Sequence, residues 1–347
     1  MDKVRLGRTN LMVSQLGFGG IPIQRLSTDD AVAVVRASLD AGIDFLDTAH
    51  GYGTSEERIG LAIQGRREGL VIATKAPASE PALFRQQVET SFRRLQVEHI
   101  DLLQFHGVSS FDKYAAILQP GGPYDIACAL RDAGRVGHIG VTSHNLSVAL
   151  QMVRDDRFET LMFPFNFITR EPLDELIPLC RQHDVGFIAM KPVGGGLLWD
   201  IETAFRWLRQ VPDVVPLVGM QSLAEVAQNV GLMEGPAVLT AEDEALIAQR
   251  TRELGTRFCR ACDYCQPCPQ GIAISSVLRI QSFYRRMPAE RFYNTETEQS
   301  IATAETCKSC GDCESRCPFE LPIREMLREN TAWYRQMQTH SQLTEGV

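Results

Sequence analysis

Residues 45–53 read FLDTAHGYG: two apolar residues, an acid, then a loop rich in glycine. A short apolar run that stops on a charged residue and opens into a turn predicts a buried strand whose last residue faces a site. The device recurs downstream, where VIATK (71–75) stops on a lysine and LLQFH (102–106) on a histidine. Around these segments, from residue 13 to about 235, apolar runs alternate with longer amphipathic stretches such as Asp29 to Asp40 and Ser147 to Arg154. Strand candidates fall near Leu16, Phe45, Val71, Leu102, Ile139, Leu161, Phe187 and Val215. Eight rounds of strand and helix predict an α/β fold, a closed parallel (β/α)8 TIM barrel. The competing architecture, an open doubly wound sheet, binds a dinucleotide through a GxGxxG turn, and Gly17, Gly19 and Gly20 lack that spacing. Residues 4–12 predict a hairpin turned at Gly7 to Asn10 that closes the barrel floor.

Past the barrel, Thr240 with Asp243 three residues on predicts a capped helix start. From Cys259 the periodicity gives way to CRACDYCQPCPQ, a helical stretch from Val277 to Arg286, and CKSCGDCESRCP. Two domains are expected, a barrel over residues 1–250 and a small α-helical cysteine domain over 255–335, with a polar helix after Glu329. Cys259, Cys262, Cys265 and Cys268 fit C-x2-C-x2-C-x2-C-P, while Cys307, Cys310, Cys313 and Cys317 fit the bacterial ferredoxin spacing C-x2-C-x2-C-x3-C-P. Two [4Fe-4S] clusters in a ferredoxin-like domain are therefore expected, with zinc as the alternative metal. In the crossed arrangement Cys317 completes the first trio and Cys268 the second. Cys128 and Cys180, in helical stretches with apolar neighbours, read as buried thiols.

The chain has 347 residues, 44% hydrophobic and 22% charged, a composition that folds into a substantial core. A net charge of -8 argues against a nucleic-acid partner, which phosphate binding would require to be basic. The start MDKVRLGRTN has no apolar leader core and no apolar run is long enough to span a bilayer. A cytoplasmic protein without membrane attachment is expected, in which clustered cysteines bind metal rather than form disulfides.

Barrel enzymes place their working residues at the C-terminal ends of strands, which singles out Asp47, Tyr52 in the loop after it, Lys75 and His106. Carbonyl reduction requires a hydride on carbon and a proton on the developing alkoxide. A neighbouring ammonium makes a phenol a better proton donor, and a carboxylate holds that ammonium charged and aimed. With LGRTNLMVSQLGFGG, FLDTAHGYGTSEERIG, ATK, HIDLLQFHG and GRVGHIGVTSHN in this order, residues 4 to 235 resemble the aldo-keto reductase family.

The resemblance implies hydride transfer between NAD(H) or NADP(H) and a small carbonyl or alcohol substrate, with Asp47, Tyr52, Lys75 and His106 catalytic. It places Gly20, Ile21 and Asp47 by the nicotinamide ribose, and Thr142 and Ser143 where the carboxamide is held. Met190 takes the position of a stacking tyrosine, and Met162 or Phe163 that of a glutamine. Lys191 and the loop KPVGGG would wrap the pyrophosphate, and Gly219, Gln221, Glu225 and Asn229 would face the adenosine end. Glu225, which would accept from a ribose hydroxyl and repel a 2′-phosphate, tilts the expectation to NAD(H). His50 and His144 read as pocket-lining or structural, and the loops Val108 to Pro123 and Gly194 to Asp200 as substrate-facing.

A hydride carries two electrons and a cubane accepts one, so the clusters are expected to be structural or sensing unless a redox partner protein draws on them. The alternatives are an electron-transfer protein or a redox sensor built on an idle barrel.

Overall fold

The computed structural model describes residues 1–77 and 80–345, with side chains through residue 340. The chain divides into two compact units, Met1–Glu244 and Ala245–Val347.

In the first unit a hairpin of β1 (Lys3–Arg5) and β2 (Met12–Ser14) precedes eight parallel strands: β3 (Gly17–Gly19), β4 (Phe45–Asp47), β5 (Val71–Pro77), β6 (Ile100–His106), β7 (Val136–Thr142), β8 (Thr160–Pro164), β9 (Gly186–Met190) and β10 (Val214–Gly219). These eight close into a barrel in the order β10-β3-β4-β5-β6-β7-β8-β9. Each apolar run picked out in the sequence lies in or beside one of them.

Alternation along the strands sends one set of side chains inward. Phe45, Val71, Ala73, Leu102, Met162, Ile188, Val215 and Leu217 fill the lower interior, together with Leu6 and Val13 from the hairpin. The hairpin thus plugs the barrel floor, but its strands pair Lys3 with Ser14 and Arg5 with Met12, two residues beyond the expected end. A 3-10 turn, Gly7–Thr9, joins them. Gly7 has φ +53°, and a Cβ there would lie 2.2 Å from the Gly186 amide, so only glycine fits against the start of β9.

The capped helix expected at Thr240 is present as Ala241–Leu254. Asp243 N donates to Thr240 Oγ1 at 3.1 Å and Thr240 N to Asp243 Oδ2 at 2.9 Å, a reciprocal capping box.

The second unit is helical, with its core made by Ile272, Ile274, Val277, Leu278, Ile280, Phe292, Ile301, Leu321, Ile323, Met326, Leu327 and Tyr334, and with Cys265 and Cys313 buried among them. The single helix expected from Val277 to Arg286 is two short ones, Ile274–Leu278 and Ile280–Tyr284, with the break at Arg279. A straight helix with Ile274, Val277 and Leu278 inward would turn Ile280 away, and the break returns it to the core. The tail continues as the helix Ile323–Glu345. No helix among the described residues is long and apolar enough to cross a membrane.

Candidate active site and cysteine centre

Strand register brings the polar strand ends into one layer. Asp47 pairs with Ala73 in β5, Lys75 with Gln104 in β6, and His106 with Pro77. Lys75, 1% exposed, places Nζ 2.6 Å from Asp47 Oδ2 and donates at 2.6 Å to Thr48 O. The ammonium stands 4.9 Å from the centre of the Tyr52 ring, and that ring meets His106 edge-on at 5.7 Å. The four polar residues expected at the strand ends are therefore together.

Two neighbours that the sequence reading missed complete the layer. Gln104 donates from Nε2 to Asp47 Oδ1 at 3.1 Å. Ser55 hydrogen-bonds Thr48 Oγ1 and Gly20 O, both at 2.8 Å, fastening the Tyr52 loop to β3. For Gln104 a signal existed: it lies two residues before His106, on the same inward face.

Burial opposes the Lys75 charge, but Asp47 and Tyr52 outweigh it and hold its pKa above the ordinary lysine value. The ion pair is a desolvated one whose partners each have further hydrogen bonds, the condition under which buried charges persist. Part of His106 reaches the barrel mouth, yet burial of the imidazole and then the Lys75 charge bring its pKa down to about 3. With its pKa held that low, the imidazole is uncharged near neutral pH and has a ring N–H to offer as a hydrogen-bond donor.

Of the residues expected to line a dinucleotide, Gly20, Ile21, Thr142, Ser143, Met190, Lys191, Gly219 and Gln221 lie at or just past strand ends, while Glu225 and Asn229 are on the helix Leu223–Glu234, several with their polar atoms already engaged. Gly20 N donates to Asp47 O at 2.7 Å, and Ile21 precedes a 3-10 turn. Thr142 Oγ1 accepts from Gly107 N at 2.8 Å, which leaves its hydroxyl proton to donate. Ser143 Oγ donates to Asn145 O and accepts from Asn145 N, so its hydroxyl serves the loop. Met190 packs on the barrel interior. Lys191, at φ +57°, meets His144 Nε2 through Nζ at 2.8 Å.

In the glycine loop, Gly194 N and Gly196 N bond back to Lys191 O and Val193 O. Gly219 lies against Pro22, where a Cβ would approach to 2.6 Å. Glu225 Oε2 accepts from Gln221 N at 2.8 Å while its own amide donates to Ser222 Oγ, and Asn229 is 4% exposed. His50 is partly buried, and burial lowers its pKa.

In the second unit, Cys259, Cys262, Cys265 and Cys317 line one cavity together with Arg260, Phe319 and Leu321. This is the first quartet of the crossed arrangement. Burial, and then the neighbouring thiols, push Cys262 up to about 11 and Cys265 up to about 12. Arg316, just before Cys317, donates to Cys265 O at 2.9 Å and Pro267 O at 2.8 Å, tying the two cysteine runs together.

The two runs share a backbone device. The residues flanking their second cysteines are left-handed, Ala261 and Asp263 at φ +64° and +60°, Ser309 and Gly311 at +54° and +90°. Such conformations are costly for non-glycine residues and turn successive amides to one side of the loop, as a nest for an anionic group. Three thiols from the curled loop and Cys317 from the second run line the cavity, a donor set that suits an iron-sulfur cluster. In the second run Cys313 is buried and Cys310 exposed. Cys268, expected with that run, packs on the common core. Cys180 is a buried thiol as expected, whereas Cys128 is only half-buried.

The model of the aldo/keto reductase family matches residues 15–204, and that of the 4Fe-4S dicluster domain residues 258–322. Among curated proteins the chain is similar to the uncharacterized oxidoreductase YqkF of Bacillus subtilis (strain 168), 30% identical over 212 residues, 57% of this chain and 67% of that protein. It is also similar to L-galactose dehydrogenase of Arabidopsis thaliana, 29% identical over 214 residues, 56% of this chain and 66% of that one. The matches thus span about two thirds of those relatives. Among solved structures, the holo form of aldo-keto reductase AKR11C1 from Bacillus halodurans aligns with a TM-score of 0.63 at 26% identity, over 72% of this chain and 96% of that one. A Klebsiella pneumoniae aldo/keto reductase in complex with NADP and acetate shares the fold, with a TM-score of 0.61 at 23% identity over 72% and 94% of the two chains. With the barrel, its polar strand ends and these matches together, the chain is an oxidoreductase that belongs to the aldo/keto reductase family and carries a C-terminal 4Fe-4S dicluster domain.

Proposed function

We propose that the barrel moves a hydride between a nicotinamide dinucleotide and a small carbonyl or alcohol, with Asp47, Tyr52, Lys75 and His106 as its working residues. The observation that carries this reading is the Lys75 ammonium, buried against Asp47 and placed beside the Tyr52 ring at the C-terminal end of the barrel. A bound nicotinamide would supply the hydride. Tyr52 gives its phenolic proton to the alkoxide oxygen, and Lys75 stabilises the phenolate left behind. Asp47 keeps Lys75 charged and aimed. Neutral His106 donates a hydrogen bond that orients the carbonyl oxygen. Thr142 has a donor left for the carboxamide, and Gly20, Ile21, Met190, Lys191, Gly219, Gln221, Glu225 and Asn229 remain the candidates to line the dinucleotide.

The eight cysteines are assigned to two [4Fe-4S] clusters, one held by Cys259, Cys262, Cys265 and Cys317, the other by Cys307, Cys310, Cys313 and Cys268. Clusters on thiolates suit the reducing cytoplasm. Because a cubane takes single electrons, they stand outside the hydride step and serve structure or sensing. Tyr52→Phe tests the barrel reading: turnover with a carbonyl should fall by about three orders of magnitude, in the range for loss of a proton donor, while dinucleotide binding stays within a few-fold. Loss of both together would mean that Tyr52 builds the pocket and does no chemistry.

A further inference from the structure

Below the Lys75 ammonium, β6, β7 and β8 run side by side, with Gln104 opposite Gly140 and Gly140 opposite Thr160. All three positions face the barrel interior, and Gln104 and Thr160 are both 0% exposed. The Gln104 amide is oriented by its neighbour, because a carboxylate accepts and never donates: Nε2 must face Asp47 Oδ1, at 3.1 Å. Lys75 takes the other Asp47 oxygen at 2.6 Å. Gln104 Oε1 is then a buried acceptor with no donor among the described residues, and Thr160 Oγ1 a buried hydroxyl without a partner among them.

A Cβ at Gly140 would lie 2.1 Å from Thr160 Oγ1 and 3.2 Å from both Gln104 Cγ and Leu102 Cδ1, so only glycine lets these three side chains pack there.

We infer that Gln104 is the positioning residue of the proton donor, committing with Lys75 both oxygens of Asp47. The inference rests on the assignment of Asp47, Lys75 and Tyr52 made above. With Gln104 in place, Asp47 cannot turn its second oxygen onto Lys75, and the ammonium keeps its place beside Tyr52. Without that donor, Asp47 swings, Lys75 follows it, and the phenol loses its cationic neighbour.

Gln104→Glu separates positioning from packing, because its hydrogen-bonding character depends on pH. An ionised carboxylate offers Asp47 no hydrogen and adds repulsion, while the protonated form restores a donor. The kcat of Gln104→Glu should fall about a hundredfold at pH 8, the scale for loss of one preorganised donor, and recover at least tenfold relative to wild type as the pH is lowered to 5. Dinucleotide affinity should be unchanged. Gln104→Leu should lose kcat about equally at both pH values. A Gln104→Glu defect that stays constant from pH 8 to 5, or wild-type kcat in Gln104→Leu, overturns the positioning role. Wild-type turnover in Tyr52→Phe would overturn the underlying assignment, a result distinct from the pH dependence of Gln104→Glu.

Discussion

In the barrel, Lys75 already meets Asp47 at 2.6 Å and Gln104 completes the carboxylate, all on strands whose register fixes them. In the C-terminal unit, Cys259, Cys262, Cys265 and Cys317 surround a cavity on loops that bend through left-handed residues at Ala261 and Asp263. The first arrangement is finished by hydrogen bonds within the protein. The second gathers thiols around a cavity, and where such thiols take a cluster, folding and loading are coupled. A site finished by its own hydrogen bonds and one that gathers ligands should therefore respond to different insults, which offers ways to break the comparison.

The largest effect is expected from iron removal. Loaded protein should contain about eight irons and eight sulfides, as two cubanes require. Anaerobic chelation should then abolish much of the helical signal of residues 245–347, because Cys265 and Cys313 lie inside their core. The barrel should keep its cooperative unfolding transition and its Tyr52-dependent turnover. Cys313→Ser should lose about half the iron. If barrel turnover falls in step with the iron, the two regions are one folding unit and the contrast fails.

A smaller effect belongs to the barrel alone. Asp243, 4% exposed, accepts from Thr203 Oγ1 at 2.5 Å, Arg206 at 2.9 Å and Thr240 N at 2.9 Å. Burial pushes this carboxyl up, but those donors outweigh it and hold its pKa at about 2. A folded-state value below the unfolded one means stability that is complete above the unfolded pKa, near 4, and is lost as the pH falls through about 2. The gap corresponds to about 2 kcal/mol. Asp243→Asn should destabilise the first unit by that amount at pH 7, and the two acid-unfolding curves should converge near pH 2. A difference that persisted undiminished to pH 2 would assign the loss to packing instead of charge.

The barrel was legible in the sequence because a strand buried on both sides must be apolar until it reaches the site, so Asp47, Lys75 and His106 announced themselves by ending such runs. Gln104 did not, since an amide inside LLQFH looks like an imperfect strand until its neighbour across the register is known. The cysteine spacing was legible for a chemical reason, three corners of a cubane needing three evenly spaced ligands. The curl of the two cysteine loops was only half so: Gly311 advertises a left-handed residue, but Asp263 occupies the matching position in the first run. Periodicity likewise gave no warning of the break at Arg279, which answers to the core around Ile280.

Glu225 gives the smallest expected effect, and here the structure sharpens the sequence argument. The sequence offers Glu225 as a carboxylate that would greet a ribose hydroxyl and repel a 2′-phosphate. The structure shows it folded back on its own helix start: its amide donates to the N-cap Ser222 Oγ, as in a capping box, while Oε2 accepts from Gln221 N, one residue before the amide that a capping box would use. With one of its oxygens spent on Gln221 N, its influence on a dinucleotide bound as proposed would be mainly repulsion of a phosphate, with little direct bonding to a hydroxyl. Repulsion between partly exposed charges is modest, about 1 kcal/mol or less at physiological salt. Titrating NADH and NADPH should therefore give a preference for NADH of only a few-fold, and Glu225→Gln should tighten NADPH while leaving NADH nearly unchanged. Lower salt should widen the wild-type preference, because less screening strengthens the repulsion. Tighter binding of NADPH by wild-type protein, unaltered in Glu225→Gln, would show that Glu225 serves its helix alone.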